Sequence, residues 1–201
     1  MRRLAAVFAL TLALVGAPAP AAVAGGPDNI VVSDATVDAT GAATFVARQS
    51  LVVQSTGTDA LDSANVARAT AHDCTGCQAI AVAFQAVLAT GRPHVVKPRN
   101  FAVAENLNCN TCASFAFAFQ YVVTTDGPER LSPEGIQRLA ALRQEVADDL
   151  ATDLTPDQLT ARLNDVRSRF KALVDAEIAK AGGTASHGEL HEQHDETPAG
   201  A

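Results

Sequence analysis

The feature that most constrains this chain is a duplication. Residues 65–91 read NVARATAHDCTGCQAIAVAFQAVLATG, and residues 100–126, offset by 35, read NFAVAENLNCNTCASFAFAFQYVVTTD. The shared pattern is N-Φ-A-x-A-x4-C-x2-C-x3-A-x-A-F-Q-x-V. It pairs Asn65 with Asn100, Cys74 with Cys109, Cys77 with Cys112, Phe84 with Phe119 and Gln85 with Gln120. Alanine-rich composition could imitate some matches, but not two CxxC pairs and two Phe-Gln pairs at one offset.

Each copy opens with a short alternating stretch, meets its CxxC, and continues in a dozen mostly apolar residues. Such a run is ambiguous between buried strand and buried helix. The alternation Phe115-Ala-Phe117-Ala-Phe119 reads as strand. Length and alanine content favour helix, since alanine is the best helix former. The expected unit is therefore strand, CxxC turn, helix, with Gly91 and Gly127 at the helix stops, the strands adjacent and both helices on one face.

The flanks complete an α+β architecture. Asn29–Val37 and Ala43–Val53, rich in Val, Thr and Phe around Gly41, read as N-terminal strands joined by a short turn. Pro93 and Pro98 mark the loop between the copies. Ser132-Pro133-Glu134 is a helix start, and Ile136, Leu139, Leu142, Val146 and Leu150 would form its apolar face. Thr155-Pro156-Asp157-Gln158 is a capping box, followed by Leu159, Leu163, Val166, Phe170, Leu173 and Val174 at helical spacing, with Gly182-Gly183 as the stop. This C-terminal helical hairpin is expected to pack on the sheet; a homodimer or partner surface is the alternative. The expected divisions are a signal peptide over 1–24, a β-rich segment with the repeats over 25–130, the hairpin over 131–182 and a disordered His/acidic tail over 183–201.

The N-terminus directs the expected location. Arg2-Arg3, the apolar run Leu4–Val15 and the small-x-small site Ala22-Val23-Ala24 have the form of a secretory signal peptide, with cleavage before Gly25. Cleavage would take two of the 15 basic side chains, leaving 13 against 22 acidic ones, a net charge of −9. Such a chain lacks the basic face of a phosphate-backbone binder, so no nucleic-acid partner is expected. The apolar runs Ala79–Leu88 and Ala113–Val123 fall short of the ~20 residues of a membrane span.

After export the four cysteines enter an oxidising compartment, where structural disulfides are the first expectation. A unit copied whole favours Cys74–Cys77 and Cys109–Cys112. Chain entropy favours cross-repeat bridges, at about 4 kcal/mol for a ~36-residue loop against about 2 for a four-residue one. Two further readings use the same atoms. In thiol–disulfide exchange, Cys74 and Cys109 at helix N-termini would attack, Cys77 and Cys112 would resolve, and His72 would assist in the first copy only. In a zinc-binding structural module, two CxxC pairs 31 residues apart would supply four thiolates. His187, His191 and His194 are a weaker metal candidate, sharing a face only if the tail is helical. His94 lies in the loop between the copies.

No nucleophile elbow, P-loop, dinucleotide fingerprint or EF-hand is present, and no cofactor is expected. Gln85 and Gln120 stand out as amides inside apolar runs, and should bond each other or nearby backbone.

From about Phe45 to Leu173 the chain resembles a bacterial secreted double-CxxC domain, the extracytoplasmic C-terminal part of peptide zinc metalloprotease chains. The resemblance rests on CTGCQAIAVAFQAVL, CNTCASFAFAFQYVVTTDGP and LSPEGIQRLAALR. It implies an exported accessory module with a membrane- or wall-associated partner. It implies no peptidase activity, because that belongs to a membrane-embedded region with a metal-binding motif that is not found here. The favoured reading is a non-enzymatic, disulfide-stabilised interaction protein.

Overall fold

Small and large side chains alternate along 78–90 and 113–125, and that period of two decides their structure. In the computed structural model, which describes residues 29–40, 44–57, 59–91, 93–127 and 130–197 (without the side chains of 186–191), both segments are strands, not the expected helices. The expected signal peptide lies outside the described residues. Ala79, Ala81 and Ala83 point to one face, with Ala116 and Ala118 beside them, while Ile80, Val82, Phe84, Phe115, Phe117 and Phe119 point to the other. Both faces are buried, so no polar alternation exposes the strand character, and alanine propensity is overridden by tertiary packing.

The strands are β1 (Asn29–Asp38), β2 (Phe45–Thr56), β3 (Ala60–His72), β4 (Gln78–Thr90), β5 (Val95–Leu107) and β6 (Ala113–Thr125). Odd-numbered strands form one parallel sheet, β1-β3-β5. Even-numbered strands form a second, β2-β4-β6, which β7 (Ala185–Thr197) extends antiparallel. Among the described residues the chain thus winds as a flattened parallel solenoid of three coils, each contributing one strand to each sheet. Its pitch is the sequence offset: Asn65 pairs with Asn100, Gln85 with Gln120 and Phe84 with Phe119. The two N-terminal strands are present as expected, but they do not pair with each other. They are a first coil, stacked on the second at offsets of 34 and 33 (Asn29 on Ser63, Phe45 on Gln78) and lacking cysteines.

Between the sheets the side chains fall into three zones. Near the CxxC turns, Ala67, Ala69, Ala71, Ala79, Ala81, Ala83, Ala116 and Ala118 are fully buried. An amide belt follows. The Nδ2 of buried Asn65 lies 2.8 Å from Asn100 Oδ1, 3.1 Å from Ala83 O and 3.0 Å from Phe119 O, tying one sheet to the other. Gln120 Nε2 donates to Gln85 Oε1 at 2.6 Å, and Gln85 Nε2 donates to Gln54 Oε1 at 2.8 Å, a ladder through all three coils. Of the two partners expected for these glutamines, each other or nearby backbone, both occur, since Gln85 Nε2 also donates to Asn29 O at 2.8 Å. Leu61, Val87, Ala89 and Val122 close the far end.

The outer face of the second sheet carries the hairpin, α1 (Pro133–Leu150) and α2 (Pro156–Lys180). The expected caps form: the Ser132 side chain accepts from Gly135 N, and Thr155 and Gln158 close a capping box. Phe170 meets the rings of Phe84 and Phe119 at centroid distances of 5.8 and 6.2 Å. One expected core residue is displaced. Ile136 is 58% exposed, and Gly135 takes the inward position beneath the carboxylate of Glu177. That carboxylate accepts from Ser132 N (2.6 Å) and from the Ser132 hydroxyl (3.0 Å), fastening α2 to the first turn of α1.

The tail is the other correction: residues 185–197 form β7 on β6 rather than a disordered segment. Its side chains also serve the first sheet. Gln193 Oε1 and Asp195 Oδ2 accept from Ala102 N and Ala104 N on the edge of β5, and the Thr197 hydroxyl donates to Ala104 O. The β2 edge of the second sheet has its own guard, since Arg143 of α1 donates through Nε to Leu51 O at 2.8 Å.

Two expectations follow for stability. Ala116→Leu should cost about 1–3 kcal/mol or more by overpacking between the sheets, whereas Ile136→Ala should stay within about 0.5 kcal/mol; urea midpoints of the two variants check the contrast. Glu177→Ala should cost about 1–3 kcal/mol on the same measurement, because the backbone donor of Ser132 then loses its partner.

Candidate functional site

The two CxxC motifs are the turns that carry the chain from the first sheet to the second. The turn 73–77 links β3 to β4, and 108–112 links β5 to β6. They lie one upon the other, as the coil register demands. Asp73 N donates to Leu107 O at 3.0 Å, Asn110 N to Cys74 O at 3.1 Å, Gly76 N to Asn110 O at 2.9 Å and Ala113 N to Cys77 O at 2.9 Å. The ladder therefore runs through the turns without a break.

Each turn needs two residues in the left-handed region, at equivalent positions. Asp73 (φ 52°) and Asn108 (φ 50°) precede the first cysteines, and Gly76 (φ 68°) and Thr111 (φ 56°) precede the second. Asp, Asn and Gly accept this conformation readily, but a β-branched threonine does so only at a cost. The Thr111 hydroxyl donates to the neighbouring Asn110 O at 2.7 Å.

Each motif closes its own disulfide, Cys74–Cys77 and Cys109–Cys112. Stacking brings the pairs together: Cys74 Sγ lies 3.5 Å from Cys109 Sγ and 3.8 Å from Cys112 Sγ. Cys77 and Cys112 are buried against the alanine zone, while Cys74 and Cys109 are partly open beneath a shallow depression lined by Asp73, Thr75, Asn108 and Asn110. Asp73 is held below the ordinary carboxylate range, first by its hydrogen bond with His72 and then by the Asn108 amide. His72 also faces Asp38, its Nε2 3.8 Å from the carboxylate. Below the second turn, Asn106 donates to Cys112 O at 2.9 Å and accepts from the Ser114 hydroxyl at 2.8 Å.

The arrangement bears unevenly on the expectations. All four cysteines converge, as the metal reading and the cross-repeat bridges require, while the disulfides close within each motif and not between the copies. The helix N-termini that were to activate Cys74 and Cys109 do not exist, because each CxxC leads into a strand. His187, His191 and His194 fall in β7, so the helical face that would join them is not formed. His194 is exposed there, and the side chains of the other two lie outside the described residues. His94 is exposed in its loop, with its N–H on Asp59 O. Sequence reasoning missed the polar supports at Asn65, Asn100 and Asn106. The conserved Asn65/Asn100 position of the duplication was the available signal.

No family model matches the chain, and no curated protein or solved structure matches it. Among the described residues, no helix is long and apolar enough to cross a membrane.

Thr111→Gly should stabilise the protein by roughly 1 kcal/mol, since relief of a left-handed non-glycine residue is worth about 1–2 kcal/mol before the entropy glycine adds to the unfolded chain. Thermal melts of the oxidised protein check it, with Gly76→Thr expected to move the midpoint the other way.

Proposed function

We propose that this chain is an exported, disulfide-clamped accessory or interaction protein without catalytic chemistry of its own. The observation that carries the reading is the placement of both cysteine pairs. Each closes its own turn, and the two turns are stacked along one edge of the solenoid, backed by packed alanine rather than by a helix N-terminus that would stabilise a thiolate. The Arg2-Arg3 and Leu4–Val15 leader supports export, and export supports the oxidised state.

A surface for a partner is available on the outer face of the β1-β3-β5 sheet. Val32, Val66 and Phe101 lie side by side in register, with Ile30 next to Val32 on the same face. Val32 is 57% and Phe101 47% exposed. Clustered apolar groups on a sheet face mark interaction surfaces more often than scattered single residues do.

The rival is thiol–disulfide exchange, favoured by the partial exposure of Cys74 and Cys109 relative to their buried partners. Intact mass of the purified protein with and without reductant should differ by about four hydrogens, two per disulfide. A reduction potential below about −300 mV supports the clamp, and one between about −120 and −270 mV supports the oxidoreductase. Reduction should lower stability by roughly 4 kcal/mol, about 2 for each four-residue loop.

A further inference from the structure

We propose that, once reduced, Cys74, Cys77, Cys109 and Cys112 form a single tetrathiolate site for a thiophilic divalent cation of the Zn2+ class, shared between two adjacent coils. The separation of the sulfurs across the coils carries the argument. Zinc–thiolate bonds of about 2.3 Å in a tetrahedron put neighbouring sulfurs about 3.8 Å apart. Cys74 Sγ already stands 3.5 Å from Cys109 Sγ and 3.8 Å from Cys112 Sγ, and these three sulfurs lie within 4.8 Å of one another. Cys77 is the fourth ligand, freed when its bond to Cys74 opens. The Cα atoms within the motifs are 6.2 and 5.8 Å apart, and the turns are held by their own backbone ladder, so the frame does not depend on the disulfides.

The same stacking favours one ion over two. Parallel strands stand about 4.8 Å apart, so two dications, one on each CxxC, would face each other at that distance. Each would hold only two of the four protein ligands that a closed structural site supplies, whereas one ion between the coils draws all four thiolates. The site would be closed, with Cys77 and Cys112 buried behind it, as in structural rather than catalytic zinc centres.

The chemistry balances with a dithiol as reductant. Each disulfide takes two electrons and two protons and becomes two thiols, while the dithiol becomes a cyclic disulfide. Binding of the cation then releases four protons to solvent and leaves a site of charge −2. The proposal concerns the reduced form, so it stands or falls separately from the oxidised clamp: the mass of the untreated protein tests the clamp, and metal titration of the reduced protein tests this site.

The test is a titration of the full chain with Co2+ after anaerobic reduction by a phosphine, which takes oxygen from water as each disulfide takes up two hydrogens. The expected result is saturation at one ion per chain, with the visible bands of tetrahedral cobalt and the charge-transfer intensity of four thiolates, both erased by added Zn2+. Cys74→Ser and Cys109→Ser, one from each coil, should each lose the four-thiolate spectrum while keeping the circular dichroism of the parent. An endpoint of two ions per chain, an octahedral spectrum, or a four-thiolate spectrum that survives either substitution overturns the proposal. If a variant fails to fold, native mass spectrometry of the reduced parent chain with Zn2+ still decides: one zinc with four protons lost supports the shared site, and any other count refutes it.

Discussion

Every other feature of this protein depends on the close approach of two parallel sheets across a layer of alanine. Side chains that small leave nothing to fill a wider gap, so the sheets must lie near each other and in fixed register. Register in turn requires each coil to return its residues above their copies, which is why the cysteines, asparagines and glutamines all stack. The bulky residues of the same strands are directed outward, where the hairpin covers them with Leu, Val and Phe170. One sheet thus has two dissimilar buried faces, small against the solenoid and large against the helices.

The cores differ in how they hold specificity. The helix-facing core is apolar and aromatic, tolerant of modest repacking. The core between the sheets relies on the amide belt, where Asn65 and the Gln54-Gln85-Gln120 ladder find partners only at the native register. A slip of one residue would turn these amides out of the layer and bring phenylalanine into it, so the polar belt acts against misregistered coils as much as it stabilises the native one.

Much of this was legible in the residues. The duplication supplies the coil pitch, both helix caps of the hairpin stand in the residues, and Gln85 and Gln120, expected to bond each other or nearby backbone, do both. In the two segments after the cysteines, length and alanine content argue for helix against the alternation of Ala79, Ala81 and Ala83 with Ile80, Val82 and Phe84. Those strands are buried on both sides, so the usual polar signal was missing. The first coil went unrecognised because Asn29–Thr56 shares the geometry of the repeat without its cysteines or its Phe-Gln pair. The tail looked disordered because its charges are numerous, yet Gln193 and Asp195 use their polarity to satisfy the edge of β5. At the site, the spacing picks out the four cysteines, but their sharing of one edge could follow only from a solenoid.

The antiparallel β7 gives the stack a direction that ends. A parallel coil offers its successor the same pattern of donors and acceptors it received, so nothing in the coils themselves limits their number. β7 runs the other way and reaches across to the first sheet, and so converts a template into a terminus. Length in this architecture is therefore quantised: between the first coil and the last it changes by a whole coil of about 35 residues.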